Sequence, residues 1–148
     1  MPHSPRWYRD RLWVLESGEG SLAQVELETR RWHPVAQLPG FTRGLDFYGP
    51  LAFVGLSQVR ETATFSGLPL MQRLGEERIC GVYVVHIETG EILGFLRFES
   101  GVQEVFAVQV LPGIRFPEML DGADDRVAHS YVLPDEALID TPQAEIVA

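Results

Sequence analysis

His3, Arg43 and Glu104 each stand just ahead of an apolar, strand-like run, at residues 4–8, 45–47 and 105–111. An imidazole, a guanidinium and a carboxylate brought to one place could bind a polar ligand or move protons. Arg60 and Glu61 follow a fourth such run, residues 51–56, and open a long connection. Arginine supplies a fixed fork of donors that suits a carboxylate or a phosphate. These groups also have plainer uses. His3, Arg43 and Glu104 could be a hydrogen-bonded charge network around a small water-filled channel. Arg60 and Glu61 could be an exposed ion pair, which is worth little.

Other chemistry finds less support. Ser17 and Ser57 end strand-like runs with no histidine beside them, so they read as residues that tie off strand ends rather than as nucleophiles. His3, His33, His86 and His129 are scattered without metal-ligand spacing, and Cys80 is the single cysteine. Cys80 reads as a packed, inert thiol at the entry to a strand. Glu16, Glu61 and Glu104 are the remaining oxygen donors for a hard cation. No metal and no cofactor is expected. The chain contains no lysine, which excludes Schiff-base chemistry, and no asparagine.

The elements that would carry these residues repeat. Residues 22–29, LAQVELET, are echoed at 82–89, VYVVHIET. Each copy is followed by a second run, at 32–38 and 92–98, and preceded by a third, at 12–17 and 51–57. Alternation between Gly/Pro punctuation marks all of them as strands. Residues 43–98 therefore form one four-stranded antiparallel unit and residues 4–38 another, as in a propeller blade. The fold class expected is all-β: a partial β-propeller of about two four-stranded antiparallel blades, plus one strand of a third at 105–111. Residues 58–80 interrupt the pattern as an insertion, in which residues 71–77 could form a helical turn. The division expected is blades at 1–116 and an acidic tail at 117–148. If equivalent positions of successive blades face one axis, His3, Arg43 and Glu104 share a central cavity, with Arg60 and Glu61 reaching in from the insertion.

Charge narrows the partners. The net charge is −9, but residues 1–60 are nearly balanced and the acids concentrate from Glu118 onward. An acidic chain without a basic stripe argues against nucleic acid and against anionic membranes. No apolar run approaches a membrane span of roughly 18 residues, and the first residues lack the apolar stretch of a secretory signal. A cytoplasmic location is expected. An anionic small molecule is the ligand class that fits the arginines, and a protein partner is the other option. Two blades are too few to close a ring, so a homo-oligomer could complete it, or the chain is part of a longer propeller.

The segments MPHSPRW at 1–7, LWVLESG at 12–18, LPGFTRGL at 38–45 and FVGLSQVRE at 53–61 resemble a bacterial family of uncharacterised proteins. This family is a domain of unknown function, some of whose members stand beside tetratricopeptide repeats. The resemblance runs nearly the whole chain. It implies a longer protein, because family members are typically about twice this length and match residues 1–7 in their interior. It implies no activity. The blade pattern also looks like that of NHL and gluconolactonase-like propellers. The calcium site of the latter leans on asparagine, which this chain lacks. The function expected is a scaffold or ligand-binding module, the alternative being a lactonase-like hydrolase that uses axial carboxylates and arginines.

Overall fold

The computed structural model describes residues 1–58, 69–74 and 79–128. It consists of two units, Met1–Pro112 and Gly113–Ala148. The first is all-β apart from one short helix. Its strands are β1 Pro2–Tyr8, β2 Arg11–Glu16, β3 Ser21–Glu26, β4 Arg31–Gln37, β5 Phe41–Tyr48, β6 Leu51–Ser57, β7 Gly81–His86 and β8 Ile92–Arg97, with helix α1 Pro69–Leu74 between β6 and β7. They form two four-stranded antiparallel sheets in sequential order, β1-β2-β3-β4 and β5-β6-β7-β8. The sheets do not close into a barrel or ring.

The repeat seen in the sequence is a repeat of register. Tyr8 pairs with Arg11 and Trp7 with Leu12, as Tyr48 pairs with Leu51 and Phe47 with Ala52. Leu15 pairs with Leu22 as Gly55 pairs with Val82. A β-bulge falls at the same place in both sheets, between His3 and Arg6 and between Thr42 and Leu45. Ser4 and Gly44 occupy equivalent bulge positions, with φ of 51° and 82°. An extra residue in one strand bends it and sharpens its twist, so the bulge sets how β1 and β5 curve. The β1–β2 turn places Arg9 and Asp10 at φ 49° and 57°, the left-handed pair that a two-residue hairpin loop of type I′ demands. Pro34 is tolerated because β4 is an edge strand, where the missing N–H costs no ladder bond.

Alternation puts one face of each sheet against the other. Trp13, Leu15, Leu22, Ala36 and Leu38 of the first sheet share a core with Leu45, Phe47, Ala52, Val54, Leu56, Tyr83, Val85 and Ile87 of the second. The Tyr8 and Phe47 rings stack at 4.6 Å with planes 7° apart, and Trp13 leans on Phe47 at 5.5 Å. At 25 cal/mol per Å² of apolar surface, burial of this kind is the main stabilising term of such a fold. Hydrogen bonds cross the seam as well. Tyr8 Oη donates to the Gly49 carbonyl at 2.9 Å, and Ser17 Oγ donates to the Thr42 carbonyl at 2.6 Å. The turn after β7 lies on β4 so closely that a Cβ on Gly90 would fall 2.1 Å from the Val35 carbonyl oxygen.

Three expectations are modified. Residues 45–47 are the end of a longer strand, β5, because the bulge hides its first half from an alternation count. The helical turn expected at 71–77 begins earlier, at Pro69, a residue suited to a first helical turn. Its Leu70 is fully buried and its Arg73 donates to the carbonyls of Glu19 and Leu38, at 3.1 and 2.7 Å. The helix of the insertion thus covers the Gly18–Gly20 connection of the first sheet. The stretch 105–111, expected as a strand, is not assigned as one: among the described residues no strand forms a hydrogen-bonded ladder with it. In the second unit, Arg126, within the short helix α2, Asp125–Ala128, reaches Glu118 at 3.0 and 3.1 Å and Asp124 at 2.8 Å.

Candidate functional site

Two serines organise the end of the sheets where β2 and β6 finish. Ser17 is fully buried and its hydroxyl donates to the Thr42 carbonyl at 2.6 Å, tying the end of β2 to the start of β5. Ser57, forty positions on, donates to the Val105 carbonyl at 3.1 Å and accepts from the Val105 N–H at 2.9 Å. Each serine therefore fastens its own sheet to the next segment of chain. This is the strand-end role expected of them, and neither hydroxyl hydrogen-bonds a histidine among the described residues.

These bonds fix the register of residues 103–110 against the second sheet. Val105 takes the place that Thr42 takes in front of the first sheet. Gly44 N–H donates to Ser4 Oγ at 3.0 Å, and on its other side a Cβ at Gly44 would fall 2.9 Å from Ala107 Cα. Ser4, Gly44 and Ala107 are thus stacked equivalents, and so are their predecessors His3, Arg43 and Phe106. Glu104 lies two residues before the position equivalent to Arg43, level with Phe41. Sequence spacing alone could not show this offset, because a bulge and a turn of different length intervene.

His3 sits on β1, with its ring edge toward Phe41 at 5.9 Å. Burial, and then the Arg43 guanidinium and the Met1 ammonium, hold its pKa below the ordinary histidine value, against an upward pull from Glu16. His3 and Arg43 are therefore close enough to repel when both are charged. Arg43, on β5, lies over the Phe106 ring at 4.3 Å, a cation–π distance. No hydrogen bond or ion pair joins its guanidinium to another described residue. Phe106 was legible only as a packing aromatic; its role as the platform under Arg43 depends on the third stacked position. Glu104 acts on a different neighbour. Burial pushes the Cys80 thiol up, a backbone hydrogen bond with Gln58 pulls it down, and the Glu104 carboxylate adds to the rise. Cys80 is a buried free thiol at the entry to β7.

The site residues expected from sequence thus fall into three groups. His3 and Arg43 come together on neighbouring strands. Glu104 lies beside the Cys80 end of the second sheet. Arg60 and Glu61 lie outside the described residues. Thr42 Oγ1, on the residue beside Arg43, is buried without a hydrogen-bond partner. Among the described residues no group of three histidines, cysteines or carboxylates could hold a metal ion. Glu16 instead pairs with the Met1 ammonium at 3.3 Å. No described helix is long and apolar enough to cross a membrane.

One family model matches the chain, over residues 1–120, and it is described as Domain of unknown function (DUF4915). No curated protein matches it.

Proposed function

We propose that this chain, which belongs to the DUF4915 family, is a propeller-type binding module that holds a small anion between His3 and Arg43. Two four-stranded antiparallel sheets in sequential order, with matching registers and equivalent bulges, support the propeller reading. The observation that carries the ligand reading is the pair itself. An imidazole and a guanidinium occupy equivalent positions on β1 and β5, and burial, then Arg43, depresses the pKa of His3. An anion between them would accept a charge-assisted hydrogen bond from Arg43 and would favour the imidazolium form of His3. Arg43 is held by Phe106, over whose ring its Cζ lies at 4.3 Å from the centroid.

Calorimetric titration of the full chain with inorganic phosphate and with succinate tests this. Saturable binding of at least one is expected, and Arg43→Ala should weaken it by about 1.5–3 kcal/mol for a lost charge-assisted hydrogen bond. Absence of saturable binding, or binding indifferent to Arg43→Ala, would overturn the proposal.

A further inference from the structure

The segment 103–110 is held like a strand but paired with none. Its two ends are tied to the second sheet. The Gln58 N–H donates to the Gln103 carbonyl at 2.9 Å, Ser57 Oγ bonds both backbone groups of Val105, and the Val110 N–H donates to the Asp46 carboxylate at 2.6 Å. Between them the chain lies flat on β5 and β6. A Cβ on Gly55 would fall 2.7 Å from Val105 Cγ1 and 3.1 Å from Val108 Cγ2, besides 2.2 Å from the Arg43 carbonyl oxygen, so the segment packs directly over the Gly55 backbone. From Ala107 to Val110 exposure alternates, as on a half-buried strand. Yet among the described residues no backbone hydrogen bond reaches residues 106–109, and Phe106 is 61% exposed.

The same protein shows twice what belongs on this edge. β1 is covered along one side by β2, and β5 by β6, in matching antiparallel registers. Residues 105–110 stand to β5 as β5 stands to β1, by the Ser17 and Ser57 hydrogen bonds and the Ser4–Gly44–Ala107 stack. We infer that residues 105–110 are a docking edge for an antiparallel β-strand of another polypeptide, an extended segment of alternating apolar residues of the kind β2 and β6 supply. Unpaired backbone donors and acceptors on a pinned, extended segment are the template for strand addition. Main-chain bonds would provide affinity, and the apolar side chains of the incoming strand would cover the face that β5 and β6 leave beside Val105 and Val108. This inference rests on the repeat reading above and is independent of the anion site.

The probe is a synthetic peptide of residues 10–18, which reproduces β2. Backbone amide exchange by NMR on the full chain should show residues 106–109 exchanging fast alone and protected at least tenfold with saturating peptide. A scrambled peptide should give no protection. The double variant Val108→Pro/Gln109→Pro removes two amide donors that have no partner among the described residues. It should keep the parent thermal midpoint within a few degrees and lose peptide binding at least tenfold. Should the variant fail to fold, protection in the parent chain decides alone. Three results would overturn the inference: no protection by the peptide, protection without peptide that grows with protein concentration, which would make a second copy the occupant, or protection without peptide at every concentration, which would mean that the chain covers its own edge.

Discussion

Replacing Gly90 with alanine should separate the two sheets at their outer seam. Gly90 has φ +72°, and an added Cβ would lie 2.1 Å from the Val35 carbonyl oxygen and 3.2 Å from its carbon. Both atoms are backbone of β4, so no side chain can swing aside. Two costs follow. The left-handed conformation of a non-glycine residue costs about 1–2 kcal/mol. The clash must then be relieved by moving the turn after β7 away from β4, which loosens the contacts of Val35 and Ile87 at the shared core. The sum is about 2–4 kcal/mol, in the range of single substitutions that strain a special backbone position. Gly49→Ala provides the reference. Gly49 has φ +56° and nothing within 4 Å of its Cβ position, so it bears the first cost alone. The lower entropy of the unfolded chain favours both alanines equally and cancels. Urea unfolding followed by circular dichroism should therefore show Gly90→Ala less stable than Gly49→Ala by about 1–2 kcal/mol, with unchanged m-value. Equal losses, within about 0.5 kcal/mol, would refute the packing of the turn on β4.

Ser17→Ala should destabilise by about 1–3 kcal/mol, because it leaves the buried Thr42 carbonyl without its donor; urea midpoints would measure it, and an unchanged midpoint would deny the bond. Cys80 should resist maleimide in the folded protein near neutral pH and react fully in urea, since burial disfavours its thiolate; rapid labelling of the native chain would contradict this. Stability should decline on acidification through the histidine range. The folded pKa of His3 lies below its unfolded value of about 6.5. Its contribution is thus complete above that value and is lost as pH falls through the folded pKa. Thermal midpoints between about pH 7.5 and 5 should fall less steeply in His3→Gln than in the parent chain; identical slopes would remove His3 as a cause.

The repeat was legible because strand register is carried by side-chain alternation, and the two copies keep it without a slip from Arg11 to Glu16 and from Leu51 to Leu56. The sheet order followed, since short turns leave little choice but antiparallel neighbours. The first half of β5 was not legible. Its bulge puts two residues where alternation expects one, so Phe41 and Thr42 read as loop. Residues 105–111 carry the composition of a strand, but being a strand also needs a neighbour to hydrogen-bond, and that depends on what else is present. Of the five candidate residues, His3 and Arg43 are the two that the structure brings near one another. His3 and Arg43 share a level because forty residues separate both their strands and their bulges. Glu104 reads as equivalent to them because it stands just before the apolar run 105–111, but position before a run does not fix the register. The Ser57 hydrogen bonds to Val105 set the level, and they bring Phe106 to it.

The NMR titration of the His3 ring tests the central claim most directly, because the claim is that His3 and Arg43 face one another across an anion site. In the parent chain the His3 midpoint should lie below that of an unstructured histidine. It should rise in Arg43→Gln, where the repelling charge is gone, and it should rise again in the parent chain on adding inorganic phosphate, which favours the imidazolium. A midpoint at the unstructured value, unmoved by either change, would contradict the account.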